Sequence, residues 1–163
     1  MLIRPLEPTR DLQTVTDFYA EAPDYWRMLD GVDPGPEKAH AFFTDIPPGC
    51  DPATSHHLGL FLEGRLSGLA DLSFGFPDPG DAYMGLMLLG PWARGGGHGA
   101  RFLSHVEGLA RAQGATRLLL AVAERNPRGG AFWRREGFTD TGRSGLSGAG
   151  PSPQVLHRLV KPL

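Results

Sequence analysis

Residues Arg94, Gly95, Gly96, Gly97, His98, Gly99 and Ala100 form the run best suited to holding a ligand. Glycines lack a Cβ, so their backbone approaches an oxyanion closely. Where such a loop opens a helix, several N–H groups have no intrahelical partner and lie at the helix's positive end, which suits a phosphate. Arg94 places a cation just before that nest. A mononucleotide loop needs Gly-Lys-Ser/Thr after its glycines, and no lysine stands nearby. A dinucleotide fingerprint should open an early βαβ unit and meet an acidic residue about 20 positions on, neither of which fits. Neither His-Glu-x-x-His nor Gly-x-Ser-x-Gly occurs in the sequence. Cys50 is the single cysteine, and His56 and His57 are adjacent, so in a strand they point to opposite faces. No metal site is expected.

An anion nest needs a strand leading in and a helix leading out. Residues 82–89 are almost continuously apolar, the pattern of a strand buried on both faces. Beyond the glycines, Phe102, Leu103, Val106, Leu109 and Ala110 recur at helical spacing over 100–113, and Gly114 stands at the expected stop. Residues 118–123 read as a second buried strand. Asn126 and Pro127 supply a helix N-cap and first-turn proline, and Gly137 ends that helix. Upstream, 2–6 is a short strand and 11–20 an amphipathic helix. The aromatic and acidic stretch 23–33 is helix or loop, and 37–43 is a short helix. Strands over 57–62 and 66–74 flank the turn Glu63-Gly64-Arg65, and 74–80 is a turn-rich connection. Residues 138–143 and 155–160 read as closing strands around a loop at 144–153. The fold class expected is α+β: a mixed central β-sheet flanked by helices, in one domain over residues 1–163.

The spacing Arg94-x-x-Gly97-x-Gly99 resembles the Arg/Gln-x-x-Gly-x-Gly/Ala pattern of the Gcn5-related N-acetyltransferase (GNAT) superfamily. The likeness extends to the preceding strand with its proline (86–91), the helix 100–113, the strand 118–123, Asn126, and the run 131–138, Ala-Phe-Trp-Arg-Arg-Glu-Gly-Phe. It implies acetyl-coenzyme A bound between two splayed central strands, 83–89 and 118–123. It further implies that the amides of Gly95, Gly96, Gly97, His98, Gly99 and Ala100 hold the pyrophosphate, with Arg94 adding charge. The pantetheine arm would pair with backbone groups of Met87, Leu88 and Leu89. The Met87 N–H would polarise the thioester carbonyl, and Asn126 would touch the arm.

Two departures from the family pattern bear on proton transfer. Trp133 occupies the position where the family often has a tyrosine to protonate the leaving thiolate; indole offers no such acid. Trp133 then either walls the thioester pocket or serves the core. Tyr83 stands where several members carry a Glu or His base, and a carboxylate that some relatives place on the following strand is Ala121 here. A neutral tyrosine is a poor base at pH 7, so Tyr83 is expected to order a water or contact the acceptor. Asp81 and Glu124 are the nearest carboxylates along the chain. On this reading the rate follows the free-amine fraction of the acceptor itself.

Sixteen Lys plus Arg against 18 Asp plus Glu give a net charge of −2, which offers no broad basic field for nucleic acid. Fourteen of the cations are arginine, spread rather than clustered. No apolar run approaches the roughly 20 residues of a membrane helix, and Pro5 and Pro8 interrupt the start, so a cytoplasmic protein without membrane contact is expected. Tyr25, Trp26, Phe74, Phe76 and Tyr83, with Asp24, Asp30, Asp33, Asp71 and Asp78, suit a primary amine on a small molecule or a peptide N-terminus. The expected function is acetyl-coenzyme A-dependent N-acetyl transfer. A non-catalytic acyl-coenzyme A-binding or regulatory protein is the alternative, and a homodimer is among the assembly states left open.

Overall fold

Prolines in first turns and glycines after last turns set many of the helix boundaries. Pro8 opens α1 (Pro8–Glu21), and a left-handed Gly31 closes α2 (Asp24–Asp30), so much of the 23–33 stretch is helical. Pro36 opens α3 (Pro36–Thr44). Next comes α4 (His98–Ala112), which buries Phe102, Leu103, Val106 and Ala110 as their periodicity predicts. Pro127 opens α5 (Pro127–Arg135), whose N-cap Asn126 accepts the Gly129 N–H at 2.9 Å. The structure, a computed structural model, describes residues 1–147 and 152–163. Part of the expected 144–153 loop lies outside the described residues.

The strands are β1 (Leu2–Pro5), β2 (His56–Leu62), β3 (Arg65–Phe74), β4 (Asp81–Tyr83), β5 (Met87–Leu89), β6 (Arg117–Ala123), β7 (Thr139–Leu146) and β8 (Val155–Pro162). They form one sheet in the order β1-β2-β3-β4-β6-β8-β7, with β5 on β3. Among the described residues only β4 and β6 pair in parallel. This is the expected mixed sheet flanked by helices.

One expectation needs correction. The apolar run 82–89 is two short strands rather than one. Ser73 pairs with Tyr83 while Ala70 pairs with Met87, so three steps along β3 match four along its partner. The extra residue makes a bulge. The cause is local: the Gly85 N–H turns to the Asp71 carboxylate at 2.8 Å. A Cβ on Gly85 would stand 2.7 Å from Asp71 Oδ1, so only glycine permits this approach.

Alternation divides the sheet's side chains between two cores. Leu58, Leu60, Ala70, Leu72, Leu118, Leu120 and Val122 meet Phe102, Leu103 and Val106 of α4 and Trp133 of α5. On the other face Phe61, Leu66, Leu69 and Leu88 meet Val15, Phe18 and Tyr19 of α1 and Phe42 of α3. Phe102 is fully buried, and its truncation to Ala belongs to the class that costs about 3–5 kcal/mol.

Candidate active site

Gly95 and Gly97 hold φ of 84° and 76°, a left-handed region that strains L side chains. Those two turns swing the chain from the end of β5 into α4, whose N-cap is Gly97. Among the described residues, the N–H groups from Gly95 to Ala100 donate to nothing; the first engaged amide is Arg101, to the Gly97 carbonyl at 3.2 Å. The three loop glycines before the helix are exposed. Six consecutive free donors at a helix's positive end make an anion cradle. Gly99 serves packing instead: a Cβ there would lie 3.1 Å from the Phe132 ring, so its absence lets α4 approach α5.

Arg94 faces inward. Its guanidinium donates to the Leu89 carbonyl (Nε 3.0 Å, Nη2 2.8 Å) and to both carboxylate oxygens of Asp24 (2.5 and 3.2 Å). Arg94 thereby holds Asp24 below the usual carboxylate range and ties α2 to the loop.

The parallel pairing of β4 with β6 ends where the Met84 N–H reaches the Leu119 carbonyl at 2.8 Å. Beyond it β5 stays with β3, and a slot opens between β5 and β6. Asp71 N–H bonds the Leu86 carbonyl and Gly90 N–H bonds the Ser67 carbonyl. Antiparallel alternation therefore turns the Leu88 backbone toward β3 and those of Met87 and Leu89 toward the slot. Of the three residues expected to line the open edge, the structure brings two there and puts Leu88 in the ladder and the core. Trp133 and Asn126 border the slot from the α5 side and Tyr25 from the α2 side, so the slot passes through the sheet. Trp133 borders the slot and is 8% exposed, with Phe132 and Phe138 edge-on to it.

On the face with α1, α2 and α3 stands a group that the sequence does not single out as a base. Asp71 is half-buried, and burial pushes its carboxyl up to about 7 despite the hydrogen bond from Gly85. Asp45 raises it further. Tyr19 of α1, Tyr25 of α2 and Tyr83 of β4 each sense its charge, and His57 of β2 is its cross-strand partner. Burial keeps all three phenols protonated, Tyr25 pushed up to about 12 and Tyr83 raised above its ordinary value. Desolvation lowers His57, which packs against Phe42 and Phe43.

The other carboxylates along the chain are placed differently. Asp81 is 2% exposed and held by two 2.7 Å bonds from Arg117. Glu124 is exposed, 3.6 Å from His157, and borders an adjoining groove of about 510 Å³ that shares Val122 and Asn126 with the slot and has Arg134 and Asp140 on its walls. Cys50 is buried, and its thiol is raised by burial. Among the described residues no helix is long and apolar enough to cross a membrane.

Comparison with known proteins bears on this arrangement. The model of the acetyltransferase (GNAT) family matches residues 15–138. A curated IAA acetyltransferase of Azospirillum brasilense is 40% identical over 77 residues, 47% of this chain and 48% of that protein. The chain thus spans about half the length of the curated relative it matches. An acetyltransferase from Thermus thermophilus superposes with a TM-score of 0.75 at 24% identity, covering 100% of this chain and 98% of that one. A ribosomal-protein-alanine N-acetyltransferase from Brucella melitensis gives 0.74 at 20% identity, with both chains covered in full at 100%. At those identities the two structures speak for the fold.

Proposed function

The chain belongs to the acetyltransferase (GNAT) family, and from that premise we propose that it moves an acetyl group from acetyl-coenzyme A to a primary amine by direct transfer. One observation carries this reading: an unbonded amide cradle and an open strand edge meet at the break in the sheet where Gly85 holds the Asp71 carboxylate. Coenzyme A supplies the acetyl group as a thioester. The amides of Gly95, Gly96, Gly97, His98, Gly99 and Ala100 fit its pyrophosphate, and Arg94, bonded to Asp24 and the Leu89 carbonyl, braces the loop that presents them. Met87 offers its outward backbone groups, and Leu89 its N–H, to the pantetheine arm as a strand edge does, the Leu89 carbonyl being taken by Arg94. Asn126 and Trp133 wall that path. The Met87 N–H, free in the slot, is aimed to stabilise negative charge growing on a carbonyl oxygen.

Asp71 removes the acceptor's proton. As a carboxylate it is a base matched to neutral pH, where a phenol is not. Tyr83 and Tyr25 remain protonated and orient the amine or a water. The sign follows from the direction of the shift. Asp71 works only when ionised, so the rate climbs as pH rises through about 7 and levels above it.

The test is thiol release against pH with two amines of well-separated pKa, benzylamine and 2,2,2-trifluoroethylamine. Both are expected to share an inflection near 7, and Asp71→Asn is expected to remove it while lowering kcat by about 10²-fold or more. A limb that tracks each amine's own pKa in both proteins returns the proton route to water at Tyr83. Binding of acetyl-coenzyme A without thiol release to any amine would identify a non-catalytic acyl-coenzyme A-binding protein.

A further inference from the structure

Arg158 is the charged side chain that the reaction above leaves unused. In β8 it pairs with Ala121 of β6, which borders the slot. Leu120 and Val122 face α4 and α5, so Ala121 and Arg158 lie on the opposite face, the one that carries Asp71 and Tyr83. The Arg158 guanidinium carbon sits 5.2 Å from the centre of the Phe76 ring and 5.9 Å from that of Tyr83. Those two rings meet edge-on at 5.2 Å. The cation is thereby fixed beside the slot rather than swinging in solvent.

Among the described residues no carboxylate reaches it. Eight of the fourteen arginines have a carboxylate within ion-pair distance. Of the others, Arg101, Arg125, Arg128, Arg134 and Arg143 are exposed, and only Arg158 is half-buried. A half-buried cation without an anion is a cost to the fold. On the β5 side of the slot, Gly85 borders the opening and its N–H holds the anion Asp71. Ala121, the cross-strand partner of Arg158, borders the same slot as Gly85, and Tyr83 senses both charges.

Resting on the acetyl-transfer reading and narrowing its substrate, we propose that the acceptor is a small primary amine that also bears an anionic group, the anion received by Arg158 and the nitrogen led to Asp71. Guanidinium recognises carboxylate, phosphonate or sulfonate through paired N–H donors. The ammonium end loses its proton to the Asp71 carboxylate, leaving the nitrogen lone pair free for attack. The ends are told apart because one charge of each sign stands at each side.

The experiment compares matched amines with and without a carboxylate: L-phenylalanine against phenethylamine, and 4-aminobutyrate against butylamine. Calorimetric titration reads binding independently of transfer, and thiol release reads kcat and KM. For at least one pair the acid is expected to exceed its twin by about 10- to 100-fold in affinity and in kcat/KM. Arg158→Gln should close that gap through KM, and Arg158→Lys should restore part of it. Absence of any gap in the wild type, or a gap that survives Arg158→Gln, overturns the proposal. Turnover of amines without such a gap leaves acetyl transfer standing and removes only the anionic acceptor. A calorimetric gap without thiol release does the reverse.

Discussion

Asp71 sits between Ala70 and Leu72, both buried, with the Gly85 N–H at 2.8 Å on one carboxylate oxygen. Its folded pKa, about 7, lies above the 3.8 of an ordinary aspartate. Between those values the folded chain keeps a proton that the unfolded chain has lost, so this residue's contribution to stability declines as pH rises from about 4 to 7. The expected outcome for Asp71→Asn is a melting temperature above wild type at pH 8, with the difference closing toward pH 4. Asparagine keeps an oxygen for the Gly85 N–H, which isolates the charge. A variant that melts below wild type at pH 8 would show that the ionised carboxylate holds the fold rather than burdening it. The sequence places Asp71 among the carboxylates that suit an amine, but a role as base is not legible there, because its partner lies 14 residues away across a bulge that no periodicity announces. Tyr83, by contrast, is legible as a site-facing residue; what the sequence does not show is that burial takes it further from acting as a base.

The glycine loop and the start of α4 are the elements most fully readable beforehand, since Gly95 and Gly97 mark left-handed turns and the apolar stripe marks the helix. The strand before the loop is readable only in part. Its apolar run reports burial, while the break between β4 and β5 depends on Gly85 meeting Asp71 of another strand. The inward course of Arg94 has the same origin: Asp24 is 70 residues away. Arg94→Ala should weaken coenzyme A binding by about 1–3 kcal/mol, because it frees the loop from Asp24 and the Leu89 carbonyl and removes a cation from the cradle's end. Dephospho-coenzyme A should lose the same amount, because the proposed contact of the loop is to the pyrophosphate. A loss confined to full coenzyme A would place Arg94 on the ribose phosphate instead.

Across the whole molecule the sheet acts as a partition. The α4 and α5 side carries the amide cradle, the α1 to α3 side carries Asp71, and the slot between β5 and β6 joins them. On the proposed reading, two substrates approach from opposite faces and meet without competing for one surface. Everything proposed for the site depends on acetyl-coenzyme A occupying the cradle and the slot, and calorimetric titration of the wild type and Gly97→Val decides that point. Valine at φ of 76° strains the turn, and its branches project into the open space where phosphate would lie. A thermal melt confirms that the variant is folded. The wild type is expected to bind acetyl-coenzyme A saturably and to show no comparable binding of ATP. Folded Gly97→Val is expected to bind acetyl-coenzyme A at least tenfold more weakly, a loss of about 1.4 kcal/mol or more. Equal affinity in the two proteins, or ATP bound as tightly as acetyl-coenzyme A, would contradict this assignment.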